Sequence, residues 1–225
     1  MIGIISDIHG NYNALSSVLL RMEEIGVSEI VCLGDIGGYY CQINECCDAL
    51  RTHNIFSLMG NHDFYLATGE ACPRSNSANA CLDYQRKILS YENLAWLCGL
   101  PSEAELYGIR MIHGGWNDAL DEYLKPSQEY FETLQGQYFV SGHTHVQTIW
   151  VGNGKTYCNP GSVGQPRDGD PRAGFATWDG DSFFLHRVDY DITRIQKEMA
   201  RAGFSPYFYE NLTKGVRIGG KIDTY

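Results

Sequence analysis

The sequence predicts an α/β fold: a mostly parallel sheet covered by helices. Three observations predict it. Short apolar runs alternate with helical periodicity through the first 60 residues. Several of those runs end in Asp, Asn or His, usually beside glycine. The second half of the chain then turns strand-rich, with hairpin-turn residues between its apolar runs.

Residues 2–6 read as a short buried strand. Leu15, Val18, Leu19, Met22 and Ile25 then recur at helical spacing, and Gly26 closes that helix. Residues 29–33 form a second buried strand. Residues 43–53 suit a helix with Cys46, Cys47 and Leu50 on one side, and residues 55–59 form the third strand. Thr68-Gly69, Pro73 and Ser75-Asn76-Ser77 predict a loop over residues 64–79, the place where a lid would sit, with a helix from 79 to 91. Strands are expected at 105–107, 109–112, 137–140, 146–151, 155–158, 174–178 and 182–188, with Gly152-Asn153-Gly154 and Asp179-Gly180-Asp181 as hairpin turns. A last helix near 192–201 precedes an irregular tail rich in aromatics (Phe204, Tyr207, Phe208, Tyr209). With no repeat, low-complexity tract or linker, one domain over 1–225 is expected.

Composition narrows the function. The chain has 225 residues, 17 Lys+Arg against 27 Asp+Glu, and a formal charge of −10. That balance supplies no broad basic face, so neither a nucleic-acid polymer nor an anionic membrane is an expected partner. It does not exclude a small anionic substrate held by a local positive centre. No apolar run approaches a membrane span, and no basic start or small-residue cleavage site precedes Asp7, so a signal peptide is not expected. The eight cysteines include no CxxC pair and read as reduced thiols of a cytoplasmic protein, with Cys41 and Cys46 or Cys47 the one grouping that leaves a metal or redox site open.

The polar residues at the strand ends carry the chemistry. Residues 2–6 lead into Asp7-Ile8-His9, residues 29–33 into Gly34-Asp35, and residues 55–59 into Gly60-Asn61-His62-Asp63. Residues 109–112 end in His113-Gly114-Gly115, and 137–140 lead through Ser141 into Gly142-His143-Thr144-His145. In α/β folds, ligands bind outside the carboxyl ends of strands. Two carboxylates, four imidazoles and one amide, with no thiolate, are too many donors for one structural zinc. They suit two metal ions sharing a bridging carboxylate, drawn from manganese, iron or zinc rather than magnesium alone or calcium.

Taken in order, Asp7-x-His9, Gly34-Asp35, Gly60-Asn61-His62-Asp63, His113 and Gly142-His143-x-His145 resemble the five-block signature of the calcineurin-like metallophosphoesterases. The likeness extends to small bacterial members described as phosphodiesterases or likened to diadenosine tetraphosphatases. The resemblance implies a four-layer αββα sandwich of two mixed sheets flanked by helices. It places Asp7, His9, Asp35 and His145 on one divalent transition-metal ion. Asp35, as the bridge, would hold a second ion with Asn61, His113 and His143. Manganese is the leading candidate, with iron, zinc, cobalt or nickel as alternatives. His62 matches the family's non-ligand histidine at the phosphate, with Asp63 orienting it. Hydrolysis would proceed by in-line attack of a metal-bridging hydroxide on phosphorus, without a phosphoenzyme.

The run Asn159-Pro160-Gly161-Ser162-Val163-Gly164-Gln165-Pro166-Arg167 reads either as a rigid loop or as a substrate-binding block, and resembles a block of those small bacterial members. In the second reading Arg167 or Arg172 forks onto a phosphate, and Tyr39, Tyr40 or Phe64 stacks on a base. The expected activity is hydrolysis of a small phosphate ester or anhydride, nucleotide-derived in one version. A phosphoprotein phosphatase, a cyclic-nucleotide phosphodiesterase and a non-catalytic binding scaffold are the alternatives, and assembly into a homo-oligomer stays open.

Overall fold

Two five-stranded sheets lie face to face in a computed structural model that describes residues 1–223. Positions 224 and 225, which end the expected domain and tail, lie outside the described residues. The first sheet has the order β10-β9-β1-β2-β3, built from β1 (Ile2–Ile5), β2 (Glu29–Cys32), β3 (Phe56–Ser57), β9 (Ala173–Trp178) and β10 (Phe183–Val188). β1, β2 and β3 run parallel, while β9 pairs antiparallel with both β1 and β10. The second sheet has the order β4-β5-β6-β8-β7, from β4 (Glu103–Leu106), β5 (Ile109–Ile112), β6 (Tyr138–Val140), β7 (Gln147–Gly152) and β8 (Lys155–Pro160). Its centre, β5-β6-β8, is parallel, and both edge strands are antiparallel.

Side-chain alternation explains the layering. Ile4, Val31, Ala176 and Trp178 of the first sheet meet Ile109, Met111, Val140 and Cys158 of the second in one apolar cluster. The next residues along three of those strands, Ile5, Cys32 and Phe175, point the other way, into a larger cluster under the helices. Those helices are α1 (Tyr12–Glu24), α2 (Ile43–Thr52), α3 (Asn61–Thr68), α4 (Asn76–Ile88), α5 (Tyr91–Cys98) and α7 (Ile192–Arg201). The outer face of the second sheet is covered by α6 (Gln128–Glu132) and an aromatic cluster of Phe131, Phe139 and Tyr157 with Trp116 and Trp150 packed against it. The expected fold class therefore holds: two mixed sheets with flanking helices.

Several local expectations are corrected. The segment expected as a loop over 64–79 is helical at both ends. α3 runs to Thr68 and stops at Gly69, whose φ of 78° is the left-handed cap that glycine adopts freely. α4 starts at Asn76, capped by the Ser75 hydroxyl on the Ala78 N–H, leaving only 69–75 outside helices. The sequence reading missed α5, whose Ser90 cap and one buried apolar residue, Leu97, leave a weak helical signature. β3 shrinks to two residues because the chain leaves the ladder after Ser57. The tail forms two 3-10 turns (Pro206–Phe208 and Glu210–Lys214), with Phe204 and Phe208 packed on the helical core. All eight cysteines are free and seven are buried, which suits core thiols. No helix among the described residues is long and apolar enough to cross a membrane.

Candidate metal centre and its cleft

The carboxyl ends of β1, β2, β3, β5 and β6 converge where the two sheets meet. Backbone hydrogen bonds tie their loops together. The Asp7 N–H donates to the Gly34 carbonyl and the His9 N–H to the Asp35 carbonyl, while the Gly142 N–H reaches the His113 carbonyl across the second sheet. Two overlapping donor groups result: Asp7, His9, Asp35 and His145, and Asp35, His113 and His143, each with ligand atoms within 4.8 Å of one another. Asn61 joins the second group, its amide oxygen 3.2 Å from His113 Nε2 and 3.1 Å from His143 Nδ1. All seven residues are buried.

Each carboxylate is held by one oxygen and offers the other. Asp7 Oδ2 accepts the His143 N–H at 3.0 Å, leaving Oδ1 buried without a hydrogen-bond partner, 3.2 Å from His145 Nε2. Asp35 Oδ1 accepts the His62 N–H at 2.8 Å, and Oδ2 lies 3.6 Å from His9 Nε2 and 3.4 Å from His113 Nε2. Asp35 Oδ2 thus faces both groups.

The histidines are oriented the same way. His9 Nδ1 donates to the Gly37 carbonyl at 2.8 Å, His145 Nδ1 to the Gln165 carbonyl at 2.6 Å, and His113 Nδ1 to the Leu33 carbonyl at 2.9 Å. A carbonyl only accepts, so each Nδ1 carries a proton and Nε2 is the ring atom turned toward the other donors; in His9 and His145 the ring is neutral and presents a lone pair there. Burial lowers His9 well below the usual imidazole range, and burial with the Arg167 charge lowers His145. Their Nε2 atoms face each other at 3.0 Å, lone pair to lone pair. Nearby, His143 Nε2 is buried without a partner. Such a pocket of unprotonated nitrogens and carboxylate oxygens fits a divalent cation. Burial opposes charge on Asp35, yet the His113 and His62 rings hold its carboxyl well below the usual range. Burial alone would lower His113, but the Asp35 carboxylate raises it to about 9, so a proton there supplies part of the positive charge the carboxylates call for.

The backbone is strained at the same place. Asp7, His9, Asp35, His143 and His145 all take the left-handed conformation, with φ between 53° and 64°. Two close approaches demand glycine. A Cβ on Gly142 would lie 2.0 Å from Ser6 Oγ and 2.7 Å from Asp7 Oδ2, and one on Gly60 would lie 2.2 Å from both Asp35 N and Oδ1.

The donors open into a cleft of about 430 Å³, lined among others by Tyr39, His62, Arg74, Tyr123, Arg167 and Arg217. His62 has its Nδ1 buried without a partner, and burial lowers its pKa to about 4. The resemblance assigned Asp63 to orienting this ring. Its carboxylate instead accepts the Ile36, Gly37 and Gly60 N–H groups, bracing the turn whose Gly37 carbonyl holds His9. Burial and the nearby Asp35 charge push Asp63 up to about 7 against those bonds.

Tyr39 stands on the cleft wall, its ring 4.8 Å from that of His9 and 4.9 Å from that of His62. Tyr40 does not reach the cleft: it is core, its hydroxyl bonded by Gln165 and Asn211. Phe64 packs on the helical core. Arg167 lines the cleft, but Arg172 does not. Arg172 is about half-exposed and forked onto Asp170, because that carboxylate, two residues away, satisfies its guanidinium locally. The segment from Asn159, near the end of β8, to Arg167 is mainly a brace for the donors. Asn159 Nδ2 donates to the Gly142 carbonyl, the Ser162 hydroxyl to the Asp7 carbonyl, and the Gln165 carbonyl receives His145. The sequence reading missed Arg74, Tyr123 and Arg217, which have no motif around them and reach the cleft from three separate segments.

Two facing mixed sheets converge imidazole, carboxylate and amide donors at their carboxyl ends, which defines the class as an α/β protein built to hold divalent metal. The model of the calcineurin-like phosphoesterase superfamily domain matches residues 1–182, and the chain belongs to that superfamily. It is 33% identical over 240 residues to the uncharacterized protein MJ0912 of Methanocaldococcus jannaschii, with 96% of this chain and 98% of that one covered. The crystal structure of a metallophosphoesterase from Sphaerobacter thermophilus matches with a TM-score of 0.83 and 32% identity, over 96% of this chain and 98% of that one. Hypothetical protein PH1004 of Pyrococcus horikoshii OT3 shares the fold, with a TM-score of 0.84 at 21% identity over 96% and 99% of the two chains.

Proposed function

We propose that this protein uses two divalent transition-metal ions to hydrolyse a small phosphate ester or anhydride. The observation that carries the reading is the pair of buried donor groups sharing Asp35, with Asp7 Oδ1, His143 Nε2 and the facing His9 and His145 nitrogens unsatisfied by protein. Asp7, His9, Asp35 and His145 would hold one ion, and Asp35, Asn61, His113 and His143 the other. A pair of divalent cations supplies positive charge for phosphoryl oxygens and acidifies water at neutral pH.

The chain's own side chains do the rest. His62, neutral and on the cleft wall, donates a hydrogen bond from its ring N–H to the phosphoryl or leaving-group oxygen and so steadies the charge that develops there. Arg167, 5% exposed, spends two N–H groups on Gln165 Oε1 and has no ion pair with a carboxylate among the described residues. A buried guanidinium so placed favours an anion beside it, and its fork suits a phosphate. Tyr39 forms the wall beside the esterified group.

The test is hydrolysis of an aryl phosphodiester and an aryl phosphomonoester by manganese-, zinc- or iron-loaded protein, together with metal content per chain. Wild type is expected to bind two ions and turn over. Asp35→Asn should lose metal and fall to the level of a buffer blank. His62→Ala should keep both ions and the fold while kcat drops by about 10²–10⁴. Full turnover by both variants, or wild-type protein saturating at one ion per chain, contradicts the reading.

A further inference from the structure

Three guanidinium groups from three distant segments share the cleft wall: Arg74 from the 69–75 loop, Arg167 from the segment after β8, and Arg217 from the C-terminal segment. In a chain with 17 basic and 27 acidic residues, such a gathering runs against the overall charge. Two of the three stand one aromatic ring away from the donor cluster. Arg167 lies 5.5 Å from the Tyr39 ring, which packs on His9 and His62. Arg74 lies 5.4 Å from the Tyr123 ring, which packs 4.3 Å from His143. The two arginines therefore approach the centre from opposite donor groups, His9 on one side and His143 on the other.

Their pairing differs in a telling way. Arg74 and Arg217 are roughly half-exposed, and each meets one carboxylate, Asp121 and Asp223 respectively. Both guanidinium groups are open to solvent on the cleft side of these pairs, so an entering phosphate can compete for them. Arg167 is buried and, among the described residues, forms no ion pair with a carboxylate. The C-terminal segment is anchored rather than loose at this point. The Asp223 N–H donates to the Arg167 carbonyl at 2.8 Å, and the Gly169 N–H to the Gly215 carbonyl at 2.9 Å, so Arg217 is built into the wall.

We propose that Arg74, Arg167 and Arg217 form a second anion subsite, and that the substrate carries at least one phosphoryl group beyond the one at the metal donors. The substrate class is a small oligophosphate, an anhydride or an ester of one, rather than a simple monoester. A single phosphate at the centre needs no more than Arg167 beside the cations, whereas three guanidinium groups lining one cleft supply contacts for more than one phosphoryl group.

This inference rests on the phosphoesterase reading, and its test separates the two. Binding of inorganic phosphate and of tripolyphosphate to the manganese-loaded protein is measured by calorimetry in excess manganese, beside aryl phosphate hydrolysis. Wild type should bind tripolyphosphate at least about tenfold tighter than phosphate. In the Arg74→Ala/Arg217→Ala variant that ratio should fall below about threefold with metal content retained. Arg201→Ala, which breaks only a surface pair with Glu198, should keep the wild-type ratio. Equal affinities in wild type, or an undiminished ratio in the double variant, overturns the subsite while hydrolysis stands. Absent hydrolysis together with absent binding of either anion removes both readings.

Discussion

Stripping the metal should cost this fold much of its stability, and the structure sets the scale. Five donor-bearing residues (Asp7, His9, Asp35, His143 and His145) are held with φ between 53° and 64°. A non-glycine residue there costs about 1 kcal/mol or more, so the cluster stores about 5 kcal/mol that surrounding bonds must offset. Without a cation, Asp7 and Asp35 also repel each other in a buried site, and two imidazole lone pairs face at 3.0 Å. An ion at a hundred times its Kd stabilises the folded state by about 2.7 kcal/mol, or about 5 kcal/mol for two sites. For a chain of 225 residues, at about 2–4 °C per kcal/mol, the melting temperature should rise by about 10–20 °C on loading. Scanning calorimetry of chelator-stripped protein, with and without manganese or zinc, reads this directly. Asp35→Asn removes the carboxylate common to both groups and should lose most of the rise. Stripped and loaded wild type melting within about 2 °C of each other, or an undiminished rise in Asp35→Asn, would refute the reasoning.

Two further substitutions probe the frame around the donors. Gly142→Ala puts a Cβ 2.0 Å from Ser6 Oγ and beside Asp7 Oδ2, so it should destabilise by about 1–3 kcal/mol and lower metal content. A variant with wild-type melting and two bound ions would show that the loop yields. Asp63→Ala leaves the buried Ile36, Gly37 and Gly60 N–H groups unsatisfied and loosens the Gly37 carbonyl that orients His9. It should weaken metal affinity by about 10–100-fold. A fall in kcat at full metal occupancy and unchanged metal affinity would return Asp63 to the role of orienting His62.

Elements with a strong local signal were legible. The β1-α1-β2-α2 alternation could be read because buried strands and amphipathic helices write their periods into adjacent residues. The helical ends of the 64–79 segment were not, because Gly69, Pro73 and the serines around 75 write turn chemistry beside them, and α5 was not because Leu97 is its one buried apolar residue. In the site, Asp35, Asn61 and His143 advertised themselves through adjacent glycines, since strand-to-loop turns packed this tightly exclude a Cβ. Arg74 and Arg217 carry no such mark, and Arg172 sat in a suggestive motif yet satisfies itself on Asp170.

By itself, the sequence determined which residue types stand at the ends of which strands, and so the chemistry available: nitrogen and oxygen donors, no thiolate, an acidic chain with no broad basic face. Only the tertiary structure decided that His9 and His145, 136 positions apart, meet at 3.0 Å, that Asp35 turns one oxygen toward both donor groups, and that three arginines line one cleft. The reason is range. Strand period and turn chemistry are settled between neighbours along the chain, whereas convergence depends on the packing of two whole sheets, whose cost and gain are spread over every buried residue between them.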